Sequence, residues 1–506
     1  MVCDALMKLR FMIKFDTMKP AMNGGKEGVM QRENERTISK EESRRQETFL
    51  EATAREWSMP FYQRKNRCPA YFLETYGCQM NERDSLHLKG MMEKALWQEA
   101  ESRDEADFVL YNTCCIRDHA EQRVFGNVGS LYKRKAAEED FFVGVCGCMM
   151  QQQETARNLY KRFPFVDVIF GTHALYRFPE LFYHMLRDGE RAFDVEDQDG
   201  QISEYLPSKE PGGVSAFVTI MYGCNNYCTY CIVPFVRGRE RSRRMEDIEM
   251  EVKRLVDQGV REITLLGQNV NSYGLDRSDD LRFADVLRRV NAIEGVERIR
   301  FMSSHPKDLS DELIRAMGEC EHICSHFHLP VQSGSNAILK KMNRQYTREQ
   351  YLQRVDALRK TVPDIELTTD IIVGFPGETE NDFEDTLDII QRVRYSTAFT
   401  FMYSPRSGTV AAKWPNQVEE AIKKERLLRL NAIQNIITKE ENEKYMNTTH
   451  TVLIERIQDG VANGKTETFK TVYFPADDTL MGRLVDVRIT GSKLNTLSGE
   501  WVRIIR

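Results

Sequence analysis

Long hydrophobic runs are absent from this sequence of 506 residues: no stretch approaches the roughly 18 consecutive apolar residues that indicate a membrane-spanning helix. The first 30 residues are interrupted by charged side chains, and they lack the apolar core and small-residue cleavage site of an export signal. We therefore expect neither a membrane span nor secretion, and we expect the chain to work in the cytoplasm.

A basic excess is absent as well. The chain has 71 Lys and Arg residues against 77 Asp and Glu residues, which gives a net charge of −6. This balance excludes a uniformly basic nucleic-acid coat, whereas a local basic face is compatible with it. Hydrophobic residues make up 41% and charged residues 29%, as in globular domains, and the length predicts about three of them.

Cysteine, in contrast, is well represented, with twelve residues in the chain. Without an export signal, we interpret these as thiols or metal ligands and not as a disulfide framework. Most of them are clustered in sequence: Cys78, Cys114, Cys115, Cys146 and Cys148, then Cys224, Cys228 and Cys231, then Cys320 and Cys324. This clustering is the most informative feature of the sequence.

The apolar pattern predicts a first α/β domain after an N-terminal extension. Residues 1–66 are polar and carry no chemical motif, so we interpret them as a flexible or loosely packed extension. Residues 67–195 contain four strand–helix units, which predict a parallel sheet with helices on both faces. The acidic stretch 196–213, which contains Pro and Gly but no periodicity, predicts a linker.

Two further domains follow. Residues 210–445 contain six strand–helix repeats, too few for an eight-fold barrel, and they predict a partial, open (β/α)6 barrel that ends in a long charged helix. Residues 446–506 alternate at period two between DG, NG, PADD and TGS turns, which predicts a small antiparallel β-barrel or sandwich. The predicted fold class is α/β, with a small β-barrel at the C-terminus.

Three cysteines of the first domain follow predicted strands: Cys78, Cys114 and Cys148. Because the carboxyl ends of parallel strands meet at one edge of the sheet, we expect these thiols to lie close together. Three thiolates suit an iron–sulfur cluster with one open iron better than structural zinc, which takes four ligands. The pattern alone does not choose Cys114 over Cys115 or Cys148 over Cys146, and ordinary buried cysteines are the alternative.

Cys224, Cys228 and Cys231 follow the first strand of the predicted partial barrel. Spacings of four and three residues place three thiols on one short loop, unlike the C-x2-C pairs of zinc sites. A 4Fe-4S cluster held by three cysteines leaves one iron open to the amine and carboxylate of a ligand. This motif on a partial barrel resembles the radical S-adenosylmethionine (SAM) superfamily, in which the open iron binds SAM.

Further motifs narrow the resemblance to one branch of that superfamily. The chain is similar to methylthiotransferases, nearest the MiaB type, in the segments TYGCQMN (75–81), NTCCIRDHAE (112–121), GCMMQQ (147–152), PFVRGRERSR (234–243), LLGQNVNSYG (265–274), SSHP (303–306), HLPVQSGS (328–335) and DIIVGFPGET (370–379). The likeness covers residues 67–506 and includes a TRAM-like RNA-binding barrel. It implies an enzyme that converts N6-isopentenyladenosine at position 37 of tRNA to the 2-methylthio form.

The resemblance also implies the cofactors and their ligands. It implies an auxiliary 4Fe-4S cluster on Cys78, Cys114 and Cys148, and a second cluster on Cys224, Cys228 and Cys231. One SAM would donate a methyl group and a second would be the radical source. The implied SAM contacts are Gly267, Gln268, Gln332, Ser335, Gly374 and Glu378. The glycines near residue 374 also suit a strand-to-helix turn.

Basic residues near the cysteine loop and in the last domain are candidates for contacts with tRNA. The first group is Arg237, Arg239, Arg241 and Arg243, and the second is Lys465 and Lys470, beside Phe469 and Tyr473. Guanidinium groups match phosphate oxygens, and small β-barrels bind nucleic acid through aromatic and basic side chains. The alternative for the arginines is internal pairing that holds the cysteine loop.

We further expect the tRNA anticodon stem-loop as a partner, an electron donor of the flavodoxin or ferredoxin type, and a monomer. Three other functions compete with this prediction. One sister methylthiotransferase would act on threonylcarbamoyladenosine in tRNA, and another would act on a ribosomal protein. A non-catalytic iron–sulfur protein would bind RNA or transfer electrons. We interpret Cys320 and Cys324 as structural.

Overall fold

The computed structural model describes residues 37–115, 118–195, 200–209 and 212–505. The chain divides between residues 210 and 211 into two compact units. The predictions for residues 1–36 and for part of the linker lie outside the described residues. No helix in the described ranges combines the length and the apolar character that crossing a lipid bilayer requires.

The first unit is a parallel sheet with helices on both faces. Its strands are β1 (Ala70–Thr75), β2 (Gln98–Glu99), β3 (Phe108–Thr113), β4 (Phe142–Gly147), β5 (Val168–Phe170) and β6 (Ala192–Asp194). Its helices are α1 (Lys40–Thr53), α2 (Met59–Lys65), α3 (Gln79–Lys94), α4 (Asp118–Ser130), α5 (Tyr132–Ala137), α6 (Gln153–Arg162) and α7 (Phe178–Asp188). The strand order is β2-β1-β3-β4-β5-β6, and all neighbouring strands are parallel.

The predicted α/β fold of this unit is confirmed, and β3 shows why the sequence revealed it. Phe108 and Leu110 pack into one apolar core, while Val109 and Tyr111 pack into the core on the opposite face. A strand buried on both faces is a continuous apolar run, as these residues are. The sequence did not reveal β2 and β6, because strands of two and three residues are too short to show a pattern.

Residues 40–65 correct the prediction of a loosely packed extension, because they form α1 and α2. Gln46 exchanges hydrogen bonds with the backbone amide and the carboxylate of Glu180 in α7, at 3.2 Å each. Leu50 is buried, and Trp57 stacks on Trp97 with ring centroids 4.9 Å apart. The prediction was wrong because a few apolar side chains, spaced along a charged segment, are enough to attach these helices to the apolar core of the first unit.

The second unit begins with an open barrel of parallel strands. Its strands are β7 (Ser215–Thr219), β8 (Met221–Tyr222), β9 (Arg241–Ser242), β10 (Glu262–Leu266), β11 (Arg298–Phe301), β12 (His326–His328), β13 (Glu366–Val373) and β14 (Thr397–Met402). Its helices are α8 (Val233–Val236), α9 (Met245–Asp257), α10 (Phe283–Asn291), α11 (Asp311–Glu319), α12 (Asn336–Lys341), α13 (Arg348–Thr361), α14 (Glu380–Val393) and α15 (Glu420–Glu443). Six of the strands form two parallel sheets, β11-β10-β7 and β12-β13-β14, joined by one parallel bridge between Ile299 and Ile323. This confirms the predicted partial barrel.

The chain ends in a closed barrel of five strands. These are β15 (Thr449–Gln458), β16 (Val461–Thr466), β17 (Thr471–Pro475), β18 (Leu484–Ser492) and β19 (Leu497–Ile504), in the order β15-β16-β17-β19-β18. The predicted small barrel is confirmed, but it is not wholly antiparallel, because β17 and β19 pair in parallel. The predicted NG and TGS turns are wrong, because Asn463 and Gly464 lie within β16 and residues 490–492 lie within β18. A Cβ on Gly464 would lie 2.0 Å from the Leu453 carbonyl oxygen, so this glycine allows a close approach of strands.

The small barrel packs against the amino-terminal ends of the partial-barrel strands. Arg298 donates to the carbonyl oxygens of Lys465 (2.6 Å) and Thr451 (2.8 Å), and Arg300 donates to that of Thr466 (2.7 Å). Arg298 opens β11, so these contacts lie at the end opposite to the strand carboxyl termini. The cysteine loop follows the carboxyl-terminal end of the strands, where ligands bind in barrels of this kind.

Candidate functional site

The three strand-end cysteines of the first unit lie at one edge of its sheet. Cys114 directly follows β3 and Cys148 directly follows β4, while Cys78 precedes the first residue of α3, close after β1. Cys114 and Cys148 are buried and Cys78 is exposed. Cys146, in contrast, lies within β4 and packs into an apolar core, whereas Cys115 is half-buried beside Cys114.

Asn81, in the first turn of α3, connects the segments that carry these cysteines. Its Nδ2 donates to the carbonyl oxygens of Tyr76 (2.8 Å) and Thr113 (2.9 Å), and its Oδ1 accepts a hydrogen bond from the Cys148 thiol (3.4 Å). The Cys148 amide donates to the same Thr113 carbonyl (2.9 Å). The buried Asn81 side chain therefore fixes all three strand ends. Asn81 is the last residue of the TYGCQMN motif, but the motif alone did not indicate this role.

Two glycines bring the backbones together at this edge. Gly77 has a φ of +116°, and a Cβ on it would lie 2.7 Å from Cys114 Sγ. Gly147 has a φ of +95°, and a Cβ there would lie 2.5 Å from the Thr113 carbonyl oxygen. Both positions need a residue without a side chain, because the left-handed conformation and the contacts exclude a Cβ.

Replacing Asn81 with Ala is expected to lower the free energy of unfolding of the first unit by about 2–3 kcal/mol, because the Tyr76 and Thr113 carbonyl groups and the Cys148 thiol each lose a hydrogen bond to this buried side chain. Urea denaturation followed by tryptophan fluorescence measures this change. The matched control is Asn127→Ala, because the Asn127 amide donates to the Tyr76 hydroxyl (2.8 Å) on a partly exposed helix face. Equal effects of the two substitutions would contradict the bridging role of Asn81.

The loop with Cys224, Cys228 and Cys231 is closed at its base by a short antiparallel pair. Met221 and Tyr222 of β8 pair with Ser242 and Arg241 of β9. The Cys224 amide donates to the Gly238 carbonyl (3.1 Å), and the Cys231 amide donates to the Cys228 carbonyl (2.9 Å). The sequence pattern does not reveal this pair, because its strands have two residues each.

The chemistry of this loop suits a positively charged iron cluster. Burial and the neighbouring thiols raise the pKa of Cys224 and of Cys231 to about 12, so the thiolates need a cation to form at neutral pH. Among the described residues, no three His, Cys, Asp or Glu side chains converge closely enough to hold a single metal ion. A 4Fe-4S cluster has a different requirement, because each cysteine binds a different iron atom. Its three thiols therefore lie further apart than the ligands of a single metal ion.

Gly267 and Gln268, two of the predicted SAM contacts, lie beside this loop. The Gln268 Oε1 accepts a hydrogen bond from the Gly223 amide, directly before Cys224. A Cβ on Gly267 would lie 2.6 Å from Met221 Cγ. The structure therefore places the end of β10 against the base of the cysteine loop.

Gln332 and Ser335 follow β12, and their environments differ. Gln332 is buried with a φ of +67°, and its Oε1 has no hydrogen-bond partner among the described residues. Ser335 caps α12, because its hydroxyl accepts from the Ile338 amide (3.4 Å) and donates to Asp382 Oδ1 (2.5 Å). The geometry leaves an acceptor for a ligand at Gln332 and gives Ser335 a structural role.

Gly374 and Glu378 form a closed turn after β13. The Glu378 carboxylate accepts from the Gly374 amide (2.6 Å) and pairs with Arg426 (2.8 Å). Gly374 has a φ of +71°, and a Cβ on it would lie 2.3 Å from Lys423 Cγ. These contacts agree with the turn-forming alternative for the glycines. They occupy Glu378 Oε2, whereas Glu378 Oε1 is buried without a hydrogen-bond partner among the described residues.

The Glu378 carboxyl makes a pH-dependent contribution to stability. Burial raises its pKa from 4.5 to about 7, against the opposing effects of the Gly374 amide and Arg426. Because the pKa is higher in the folded state, this stabilisation is complete below about pH 4.5 and is lost as the pH rises through 7. We compare the free energy of unfolding of the wild type with that of Glu378→Gln. The wild-type value minus the variant value is expected to fall by about 3 kcal/mol between pH 4.5 and 8.

Urea denaturation across this pH range measures the difference. The control is Glu380→Gln, because Glu380 is exposed and hydrogen bonding to Arg429 lowers its pKa. A wild-type advantage that stays constant from pH 4.5 to 8 would contradict a raised Glu378 pKa.

Polar atoms that the sequence analysis missed lie at the ends of β10 and β11. Asn271 Oδ1, Ser304 Oγ and His305 Nε2 are buried, and they have no hydrogen-bond partner in the part of the chain that the structure describes. Buried polar groups normally have partners, so such atoms are candidates for ligand contacts. The SSHP and LLGQNVNSYG motifs contain these residues and were the available signal.

The structure uses most of the predicted RNA-binding arginines internally. Arg241 donates to the carbonyl oxygens of Arg239 (2.8 Å) and Arg237 (3.1 Å). Arg243 pairs with Glu251 (2.6 Å) and is buried, as Arg237 and Arg241 are. This favours the alternative that these side chains hold the cysteine loop, and it leaves Arg239 as the exposed member of the group.

Lys465 and Lys470 are also engaged within the second unit. Lys465 pairs with Glu455 (3.3 Å), and Lys470 pairs with Glu366 (3.0 Å). Phe469 stacks on His326 with ring centroids 4.7 Å apart, so it joins the two barrels. Tyr473 and Trp501 are exposed on β17 and β19, and Trp501 was not among the predicted candidates.

Comparison with known proteins covers all three folded parts of the chain. Residues 70–171 match the Uncharacterized protein family UPF0004, residues 218–390 the Radical SAM superfamily and residues 443–502 the TRAM domain. The tRNA-2-methylthio-N(6)-dimethylallyladenosine synthase of Acetivibrio thermocellus is 51% identical over 469 residues, which are 92% of this chain and 98% of that protein. The synthase of the same name from Clostridium tetani is 49% identical over 441 residues, or 87% and 97%. The chain therefore belongs to the family of tRNA-2-methylthio-N(6)-dimethylallyladenosine synthases.

Proposed function

We propose that this chain is a radical SAM methylthiotransferase that converts N6-dimethylallyladenosine at position 37 of tRNA to its 2-methylthio derivative. The observation that carries the proposal is the 51% identity with a synthase of that name over 98% of its length. The two sets of three cysteines, each following strands of a parallel sheet, support the same chemistry.

The reaction explains why such cofactors are needed. The C2–H bond of adenine has no useful acidity and C2 carries no leaving group, so acid–base catalysis has little to act on. When bound, SAM and the two 4Fe-4S clusters supply the electron, the radical, the methyl group and the sulfur. The residues of the chain bind and orient these groups.

We assign the six cysteines to the two clusters as the resemblance implies. Cys224, Cys228 and Cys231 would hold the cluster that binds SAM, and Gln268 would fix the loop through the Gly223 amide. The unpartnered Gln332 Oε1 fits a hydroxyl or amine donor of SAM. Cys78, Cys114 and Cys148 would hold the auxiliary cluster, with Asn81 orienting Cys148.

Exposed aromatic and basic side chains are our candidates for tRNA contacts. Tyr227 and Phe235 flank the cysteine loop, are both exposed, and have ring centroids 6.1 Å apart. Unstacked bases in RNA loops stack on such rings. Tyr473 and Trp501 offer a second aromatic surface on the small barrel, within the match to the TRAM domain.

Three finer points belong to the proposal. The electron would come from a flavodoxin or a ferredoxin, because both are one-electron donors. We propose the cytoplasm as the compartment, because the tRNA substrate is found there. We propose that the chain acts as a monomer, with its substrate base taken out of the anticodon-loop stack.

Anaerobic turnover tests the function directly. The reconstituted full chain is incubated with SAM, dithionite and bulk tRNA, and the nucleosides are analysed by mass spectrometry. We expect 2-methylthio-N6-dimethylallyladenosine together with 5′-deoxyadenosine. A 2-methylthio derivative of threonylcarbamoyladenosine, or modification of a ribosomal protein alone, would identify a sister enzyme. Absence of 5′-deoxyadenosine would favour a non-catalytic iron–sulfur protein.

A further inference from the structure

Arg344 is a buried cation beside the cysteine loop. It is 4% exposed and follows α12. Its Nη1 donates to Cys228 Sγ (3.5 Å), its Nη2 to the Pro330 carbonyl (2.9 Å) and its Nε to the Tyr346 hydroxyl (3.2 Å). The guanidinium plane is therefore held by three different segments, with one edge directed at a cysteine sulfur.

The segment that carries Arg344 is bound tightly to the cysteine loop. Asn343 Nδ2 donates to the carbonyl oxygens of Asn226 (3.1 Å) and Tyr227 (3.2 Å). The Thr229 amide and hydroxyl donate to the carbonyl oxygens of Met342 (3.1 Å) and Lys341 (2.9 Å). Four hydrogen bonds thus fix the distance between the guanidinium group and Cys228.

The charge of Arg344 lacks an ordinary counter-ion. Its hydrogen-bond partners are two hydroxyl groups, a carbonyl oxygen and a thiol, and no carboxylate lies within ion-pair distance among the described residues. Burying an unpaired charge is strongly unfavourable, so a buried arginine normally has an anionic partner. The group next to it that becomes anionic on binding iron is the sulfur of Cys228.

We propose that Arg344 is a positioning residue that stabilises the reduced state of the cluster held by Cys224, Cys228 and Cys231. This inference rests on the ligand assignment in the proposed function. Net charge, hydrogen bonds to the sulfurs and burial set the potential of an iron–sulfur cluster, and Arg344 supplies all three. Adding an electron adds a negative charge, which a fixed cation at hydrogen-bond distance from a ligand favours.

The test is a redox titration of the full chain with the substitutions Cys78→Ala, Cys114→Ala and Cys148→Ala, so that one cluster is present. The reduced fraction is followed by electron paramagnetic resonance at fixed potentials set with dithionite and mediators. We expect Arg344→Met to lower the ratio of reduced to oxidised cluster at least about tenfold, which is about 59 mV for one electron. Arg344→Lys should restore most of the ratio, because it keeps the charge.

An Arg344→Met variant that holds the cluster at the wild-type potential would overturn the inference. If Arg344→Met loses the cluster, its potential cannot be measured. The iron contents of Arg344→Lys and Arg344→Gln then test whether the charge of Arg344 stabilises the cluster. We then expect Lys to retain iron and Gln to lose it, and equal iron in both would overturn the inference. None of these measurements uses tRNA, so a shifted potential in a chain that does not modify tRNA would leave the inference intact and refute the proposed function.

Discussion

Replacing Cys224, Cys228 and Cys231 together with Ala is expected to abolish the cleavage of SAM and to halve the iron content. Two 4Fe-4S clusters give about eight irons per chain, and this variant should retain about four. Without these thiols the amine and carboxylate of SAM have no iron to bind and no source of the electron. Iron analysis after anaerobic reconstitution and chromatographic detection of 5′-deoxyadenosine measure the two effects.

The control for this variant is the pair of substitutions Cys320→Ala and Cys324→Ala. Both cysteines are buried in the same unit and follow helix α11, outside the cysteine loop. The double variant should retain about eight irons and cleave SAM. Detectable 5′-deoxyadenosine from the triple variant, or loss of iron from the control, would mean that the SAM-binding cluster lies elsewhere.

The sequence predicted the architecture well where the elements are long and strongly apolar. Strands β3 and β4 are buried runs that end directly before Cys114 and Cys148, and both were located from the sequence. The cysteine positions followed from them, because a residue directly after a parallel strand lies at the carboxyl edge of its sheet. The family resemblance rested on the same strand-end motifs.

The sequence was less informative where a residue type serves more than one purpose. Gly464 suggested a turn, although the structure shows a strand glycine close to the Leu453 carbonyl. Arg241 and Arg243 suggested phosphate binding, but both bond within the chain. Sequence spacing does not show whether a guanidinium group reaches solvent or a carbonyl oxygen, because that depends on tertiary packing.

Bridging residues were the hardest to predict. Asn81 connects two strand ends and a cysteine, and two partners of its side chain, Thr113 and Cys148, lie more than thirty residues away in sequence. Arg344 reaches Cys228 across an even longer separation. Neither interaction follows from periodicity, and only the fold brings these partners together.

Replacing Cys78, Cys114 and Cys148 together with Ala is expected to remove sulfur insertion while SAM cleavage continues. These cysteines belong to the first unit, and Cys224, Cys228 and Cys231 belong to the second, which has its own core. The variant should therefore keep about four irons and form 5′-deoxyadenosine, yet give no 2-methylthio nucleoside in tRNA. Iron analysis and mass spectrometry of the nucleosides separate the two outcomes.

Single substitutions decide between neighbouring cysteines in this set. Cys146→Ala removes a thiol that packs into the apolar core, and Cys115→Ala removes a half-buried thiol beside Cys114. Both variants should retain iron and sulfur insertion, because neither thiol is assigned to the cluster. If Cys115→Ala loses iron and Cys114→Ala keeps it, Cys115 is the ligand. If the triple variant still methylthiolates tRNA, the auxiliary cluster is not held at this edge of the sheet.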